Sequence, residues 1–265
     1  MTDANPADRQ AADERTADGR TRESPRRGRH GYGLIVAVVA AVAVVVAAAL
    51  VTVFALPRAS GGQPPRPSGI PASVSDSQAS LMDLQPLPPV AAPGFTLTDQ
   101  HGRTVSLSQL RGKVVVLEFM DPHCTDICPI VSAEFLDAYR DLGAAAGNVV
   151  FAAINVNQYH ATVADMLAYS TEHDLDSIPG WRFLTGPLPR LRAAWRDYHI
   201  SVQAPSPSAD IVHTSAIYFI APDGRERFEA SPTDDHTANG TAYLPADQLT
   251  AWGKGIAHIA RLLAR

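Results

Sequence analysis

Cysteine is all but absent from this chain. Cys124 and Cys128 are the only two in 265 residues, too few sulfurs for a structural zinc centre, which takes four side chains and usually draws on several thiolates. Lysine is as rare, with Lys113 and Lys254 alone among 22 basic residues, and alanine is abundant, a bias that matches GC-rich bacterial coding. Basic charge is not in excess either: 27 acidic residues against 22 basic ones leave a net charge of -5 and a pI near 6.0. The chain therefore lacks the basic footprint of a nucleic-acid binder, and its partners are sought among proteins, metals and small molecules. Met82, Met120 and Met166 are scattered, so there is no methionine-rich metal tract, and no internal repeat is visible.

Long apolar runs are also scarce, with one exception. Residues 34–56 are 23 consecutive Leu, Ile, Val, Ala and Phe with a single Thr52 and no charge. As a helix this run covers about 35 Å, enough for a hydrocarbon core of about 30 Å. A cleaved leader carries a shorter apolar region of about 7–15 residues, so the run is read as one transmembrane helix. Arg20, Arg22, Arg26, Arg27 and Arg29 precede it, and only Arg58 and Arg66 follow closely. That asymmetry keeps the N-terminus in the cytoplasm and places the rest outside the plasma membrane. Arg26-Arg27, preceded by Pro25 and followed by Gly28, Arg29 and His30, makes a poor twin-arginine export signal.

Four segments follow. Residues 1–33 are a charged cytoplasmic tail with too little apolar surface to fold. Residues 34–56 are the anchor, and 57–93, rich in Pro, Ser, Gly and Ala, read as an extended tether. Residues 94–265 are long enough for a single core. Within them, 95–98 and 104–107 flank polar turn residues as a short hairpin. The valine-rich runs 113–119 and 149–156 read as strands covered on both faces. Helices are expected over 129–142, 162–173 and 188–198, a short strand over 181–184, and a hairpin turning at Asp223-Gly224. A closing amphipathic helix spans 248–263, with Leu249, Trp252, Ile256 and Ile259 on one side. This order predicts an α/β domain, a sheet flanked by helices in the thioredoxin arrangement.

Both cysteines fall where the first buried strand gives way to a helix, in Asp121-Pro122-His123-Cys124-Thr125-Asp126-Ile127-Cys128-Pro129. Residues four apart on a helix share a face, about 6 Å from each other, which suits a disulfide or two thiolates gripping one ion. A helix N-terminus favours the thiolate, the reactive and metal-binding form. A purely structural staple is the weaker reading, because so short a loop constrains the unfolded chain little. Two thiolates and an imidazole suit a soft metal such as Cu(I). Of nine histidines, His123 adjoins Cys124 but adjacent side chains point apart, and it is placed to tune the thiol. His213 precedes the strand expected at 214–220, which in this topology starts beside the cysteine-bearing helix, and a surface or core role for it stays open. Glu118, in the buried strand six residues before Cys124, either relays a proton to the inner thiol with a raised pKa or is solvated at a rim or simply paired. A peroxidase would present threonine or serine three residues before its attacking cysteine, and that position is Asp121.

Gly94-Phe95 through Lys113-Val114-Val115-Val116, then His123-Cys124-Thr125-Asp126-Ile127-Cys128-Pro129, then His213-Thr214 with Tyr218 and Pro222-Asp223-Gly224, together resemble the Sco/SenC family of cytochrome oxidase assembly proteins. The resemblance implies a thioredoxin-like copper protein that binds one Cu(I) or Cu(II) through Cys124, Cys128 and His213. It further implies a partner in cytochrome c oxidase subunit II, to whose dinuclear centre the family delivers copper or whose cysteines it reduces. A thiol-disulfide reductase using Cys124, Cys128 and Glu118 is the competing expectation. Two departures stand out: Asn155-Val156-Asn157-Gln158-Tyr159-His160 where the family carries an acidic Asp-Pro turn, and Glu118 itself.

Overall fold

A computed structural model describes residues 67–265. The expected tail and transmembrane helix lie outside these residues, and among those described no helix is long and apolar enough to cross a membrane. In chain order the elements are α1 (Asp76–Leu81), β1 (Gln85–Pro86), β2 (Thr96–Thr98), β3 (Thr104–Ser106), β4 (Val114–Met120), α2 (Ile127–Leu142), β5 (Val149–Asn155), α3 (Val163–Glu172), β6 (Arg182–Leu184) and α4 (Leu188–Asp197). There follow β7 (Val202–Gln203), β8 (Val212–His213), β9 (Ile217–Ile220), β10 (Glu226–Ala230), β11 (Asp235–His236), β12 (Ala242–Tyr243) and α5 (Ala246–Leu263).

The main sheet runs β1-β10-β9-β4-β5-β6. Strand β4 pairs in parallel with β5, and β5 with β6, because α2 and α3 return the chain across the sheet between them. The later strands come back antiparallel, with Val115 opposite Ile220 and Leu117 opposite Tyr218. Every residue of β4 and β5 is buried, which is why both read as unbroken apolar runs rather than alternating ones. Alternate side chains enter two cores. Val114, Val116 and Met120 pack with Val131 and Phe135 of α2, Met166 of α3 and Trp252 of α5. On the other face Val115, Leu117 and Phe119 meet Leu191 and Trp195 of α4 and Leu97 and Val105 of the β2–β3 hairpin.

The expected elements are present with ends shifted by a few residues, as is usual for boundaries. Two segments differ more. The stretch read as a tether up to residue 93 is, from Ile70 onward, packed into the domain: Val74, Met82 and Leu84 are buried, Ser75 caps α1, and β1 pairs with β10. Its prolines suggested a spacer, but isolated apolar residues among them find a place on α5 and the sheet edge. The second is a two-stranded hairpin, β7–β8, with Val202 opposite His213, which stands apart from the main sheet. Its strands have two residues each, too few for a periodic signal.

Helix α5 lies close against α2. A methyl group at Gly253 would stand 2.6 Å from Asp137 Cβ and 3.1 Å from the Ala138 amide nitrogen, atoms that cannot swing aside. Gly253→Ala is expected to cost about 1–3 kcal/mol through overpacking, more than the 0.5–1 kcal/mol or so of helix propensity it gains. Urea unfolding measures the difference, and a more stable variant would contradict the close crossing.

Candidate functional site

Strand β4 ends at Met120, and the chain turns sharply through Asp121-Pro122-His123 before Cys124. The Cys124 amide donates to the Asp121 carbonyl at 3.1 Å, and the His123 amide donates to Asp121 Oδ1 at 2.8 Å. The helix begins only at Ile127, so Cys124 sits in the turn before it and not on its surface as expected. The two cysteines meet because the first helical turn folds back: the Cys128 amide donates to Cys124 Sγ at 3.4 Å. Both are free thiols, Cys124 half-buried and Cys128 buried.

Their environments push them apart. The Cys128 thiol hydrogen bond holds the Cys124 thiol down to about 7 despite burial, with further help from the Cys128 and Asp126 amides. The same hydrogen bond to Cys124, and then burial, push Cys128 well up. One sulfur is thus available as thiolate near neutral pH while its neighbour keeps its proton, the division of labour needed for attack or for metal capture.

His213 closes the short strand β8. Its Nδ1 lies 2.9 Å from the Thr214 carbonyl oxygen, so Nδ1 carries the proton and donates, leaving the Nε2 lone pair free. Burial lowers its pKa, so it is offered as neutral imidazole. A backbone carbonyl fixing one ring nitrogen while the other stays open is the arrangement that metal-binding histidines require. Cys124, His213 and the 207–212 tip of the β7–β8 hairpin line one cavity of about 550 Å³. Cys124, Cys128 and His213 share this region without forming a closed triad: their three donor atoms do not all lie within 4.8 Å of one another.

Glu118 is buried, not solvated at a rim. It points to the α2 side of the sheet, where Oε1 accepts from Ser215 Oγ at 3.0 Å and from the Ala216 amide at 3.3 Å. Strand β9 starts only at Ile217, so this carboxyl extends the β4–β9 connection past the end of the ladder and ties down the segment leading from His213. Oε2 has no protein partner. Burial raises the Glu118 pKa from 4.5 to about 8 despite those hydrogen bonds. A second acid behaves similarly: Glu134 of α2 is fully buried, both its oxygens lack a protein partner, and burial pushes its pKa well up. Sequence reading passed over Glu134, although it falls on the apolar face between Val131, Phe135 and Ala138, where periodicity marks it as an acid facing inward.

The segment 155–160, noted for lacking acidic residues, braces the thiol turn. Asn155 Oδ1 accepts from the Asn157 amide at 2.8 Å, and Asn155 Nδ2 donates to the Asn157 and His160 carbonyls at 2.9 and 3.0 Å. Asn157 Nδ2 in turn donates to Asp121 Oδ1 at 2.9 Å. Neutral amides suit this place, since a carboxylate at 157 would face Asp121. The imidazole of His160 stacks on His123 with ring centroids 3.7 Å apart. The polar-looking loop at 234–236 also reaches the site: His236 Nε2 lies 3.7 Å from Asp126 and 3.5 Å from Asp234.

Above its unfolded value near pH 4.5 and below about 8, Glu118 is protonated when folded and ionised when unfolded, so folding stability falls as pH rises through that window. Glu118→Gln keeps an acceptor for Ser215 and Ala216 and removes this contribution, flattening the slope by up to ~1.4 kcal/mol per pH unit. Urea melts between pH 5 and 8 read it directly, and an unchanged slope would show that Glu118 is ionised in the native protein.

A family model described as SCO1/SenC matches residues 85–240, beginning at the first residue of β1. The SCO1 protein homolog of Bacillus subtilis is 28% identical over 148 residues, covering 53% of this chain and 76% of that one. The copper-bound structure of ScoI from Bradyrhizobium japonicum aligns with a TM-score of 0.51 at 25% identity, over 66% of this chain and 99% of the other. A shorter likeness, 42% over 60 residues, joins 23% of this chain to 28% of peroxiredoxin Q from rice chloroplasts. With more than half its length matched by one family model and the thioredoxin-like fold in place around a CxxxC turn, the chain belongs to the SCO1/SenC family.

Proposed function

We propose that this protein takes up one copper ion through Cys124, Cys128 and His213 and passes it to the dinuclear copper centre of cytochrome c oxidase subunit II. The observation that carries this reading is a thiol with its pKa held near 7 lining the same cavity as a neutral histidine whose Nε2 is left free. Two thiolates and an imidazole form a soft donor set suited to Cu(I) and able to hold Cu(II). The copper-bound ScoI structure supports it at the level of a relative. Because the three donors are not all within 4.8 Å of one another, uptake brings the sulfurs and the His213 ring together. Delivery is a stepwise exchange of these ligands for those of the acceptor. Oxidation of both thiols to a disulfide, losing two electrons and two protons, removes the two sulfur donors and so gates binding.

The unequal thiols also favour a second reading, a thiol-disulfide reductase. Here the Cys124 thiolate attacks a partner disulfide and expels one partner sulfur as a thiolate, which takes up the Cys128 proton. The Cys128 sulfur then resolves the mixed disulfide, with the protonated Glu118 in reserve as an acid for the departing sulfur. Copper titration of the reduced chain separates the two. The first reading expects one equivalent bound, none after oxidation to the disulfide, and His213→Ala weakening affinity by at least about tenfold. Stoichiometric binding untouched by His213→Ala would remove His213 from the site. No binding together with rapid reduction of partner disulfides would leave the reductase.

The same reading puts the domain outside the cytoplasm, anchored by residues 34–56 with the arginine-rich tail inside. In right-side-out membrane vesicles, added protease should release a fragment that begins after residue 56. Protection of residues 67–265 in such vesicles would reverse the topology.

A further inference from the structure

Beside the thiols lies a donor set that the copper reading does not use. His123, His160 and Asp165 offer two imidazole nitrogens and a carboxylate oxygen, all within 4.8 Å of one another. Three different elements bring them together: the turn after β4, the loop after β5 and the first turn of α3. Their backbones are pinned by one hydrogen-bond network. The His123 amide donates to Asp121 Oδ1, the His160 amide donates to Asn157 Oδ1 at 3.2 Å, and Asn157 Nδ2 donates to that same Asp121 oxygen. The His160 carbonyl accepts from Asn155 Nδ2. The rings are therefore held against each other by buried polar groups, while they themselves remain open to solvent.

Asp165 is similarly placed. It belongs to the capping box of α3, and the Thr162 amide and hydroxyl donate to its Oδ2 at 2.9 and 2.7 Å. Both bonds fall on one oxygen, which leaves Oδ1 without a donor from Thr162, and a carboxylate oxygen of Asp165 lies within 4.8 Å of a nitrogen of each histidine. A stack of two imidazoles beside a carboxylate has little packing purpose at the edge of a cavity, and sequence order separates His160 from His123 by 37 positions. We propose that His123, His160 and Asp165 form a second metal site that takes a divalent transition ion, Zn(II) or Cu(II), with water completing its coordination. Two nitrogens and one oxygen make a borderline donor set that suits these ions and disfavours Cu(I), the reverse of the thiol site. Drawing the three atoms from within 4.8 Å onto one ion at about 2.0–2.2 Å asks only for rotation of side chains that already reach the surface. His123 and His160 line the same cavity as Cys124 and His213, so an ion held there stands at the entrance to the thiols.

The site does not depend on the thiols binding copper, and its test removes them. The full chain in detergent, carrying Cys124→Ser and Cys128→Ser, is titrated with Cu(II) and followed by electron paramagnetic resonance, then with Zn(II) by calorimetry. The wild-type chain oxidised to its disulfide serves as a second preparation should the serine variant fold poorly. One equivalent of each ion is expected, with nitrogen hyperfine structure from imidazole in the Cu(II) spectrum. His123→Gln and His160→Gln should each weaken binding by more than about tenfold. Asp165→Asn, which keeps an acceptor for the Thr162 cap, should weaken it less. His236→Gln, in the separate Asp126/Asp234 cluster, should change nothing. Absence of binding in both thiol-free preparations, or binding that survives His123→Gln and His160→Gln together, would overturn the proposal.

Discussion

A single buried carboxyl, Asp121, sets the geometry around the thiols. Placing such a group in the interior is costly unless donors replace the lost water, and here the His123 amide and the Asn157 side chain both donate to its Oδ1. One donor comes from the loop that follows β4 and the other from the loop that follows β5. Satisfying the carboxyl therefore locks together the two loops at the carboxyl ends of adjacent parallel strands, the place where α/β sheets gather their ligand sites. Cys124, His123 and His160 are all carried by these loops.

Around that anchor the site is built from unequal partners. Cys124 and Cys128 share one hydrogen-bond system, so what lowers one pKa raises the other. Glu118 and Glu134 add two buried acids on the α2 side, each pushed toward its neutral form by burial, and the charge of Glu118 further disfavours ionisation of Glu134. Their unpartnered oxygens lower the stability of the native state, a cost commonly tolerated where ionisation must respond to chemistry nearby. The rest of the core, with two apolar layers on a fully buried β4–β5 pair, is well able to offset it.

Glu118 also links the thiol strand to the histidine arm. Through Ser215 and Ala216 it fixes the root of the segment bearing His213, while the tip of the β7–β8 hairpin has no place in the main sheet. The hairpin is held instead by Val202 and Ile211 against the core and by the Tyr159 hydroxyl, which donates to the Ala204 carbonyl at 2.9 Å.

Much of this was legible in the sequence because it rests on period and composition. The unbroken runs of β4 and β5 announce strands buried on both faces, the spacing in α2 and α5 announces amphipathic helices, and two cysteines at a strand-to-helix junction announce a reactive pair. The tether was misjudged from Ile70 onward because a few apolar residues among prolines carry no period, and only α5 and β10 provide the surface that buries them. Burial of Glu118 was left open in the sequence, for whether a carboxyl at the end of a strand meets water or protein depends on what lies across from it. The roles of Asp121, Asn157 and His160 were likewise hidden. Sequence alone determined which elements form and which residue types carry the chemistry, since those follow from local pattern. Tertiary structure decided which of these residues meet, because hydrogen bonds between Asp121 and Asn157, or contact between His123 and His160, exist only once β4 and β5 lie side by side.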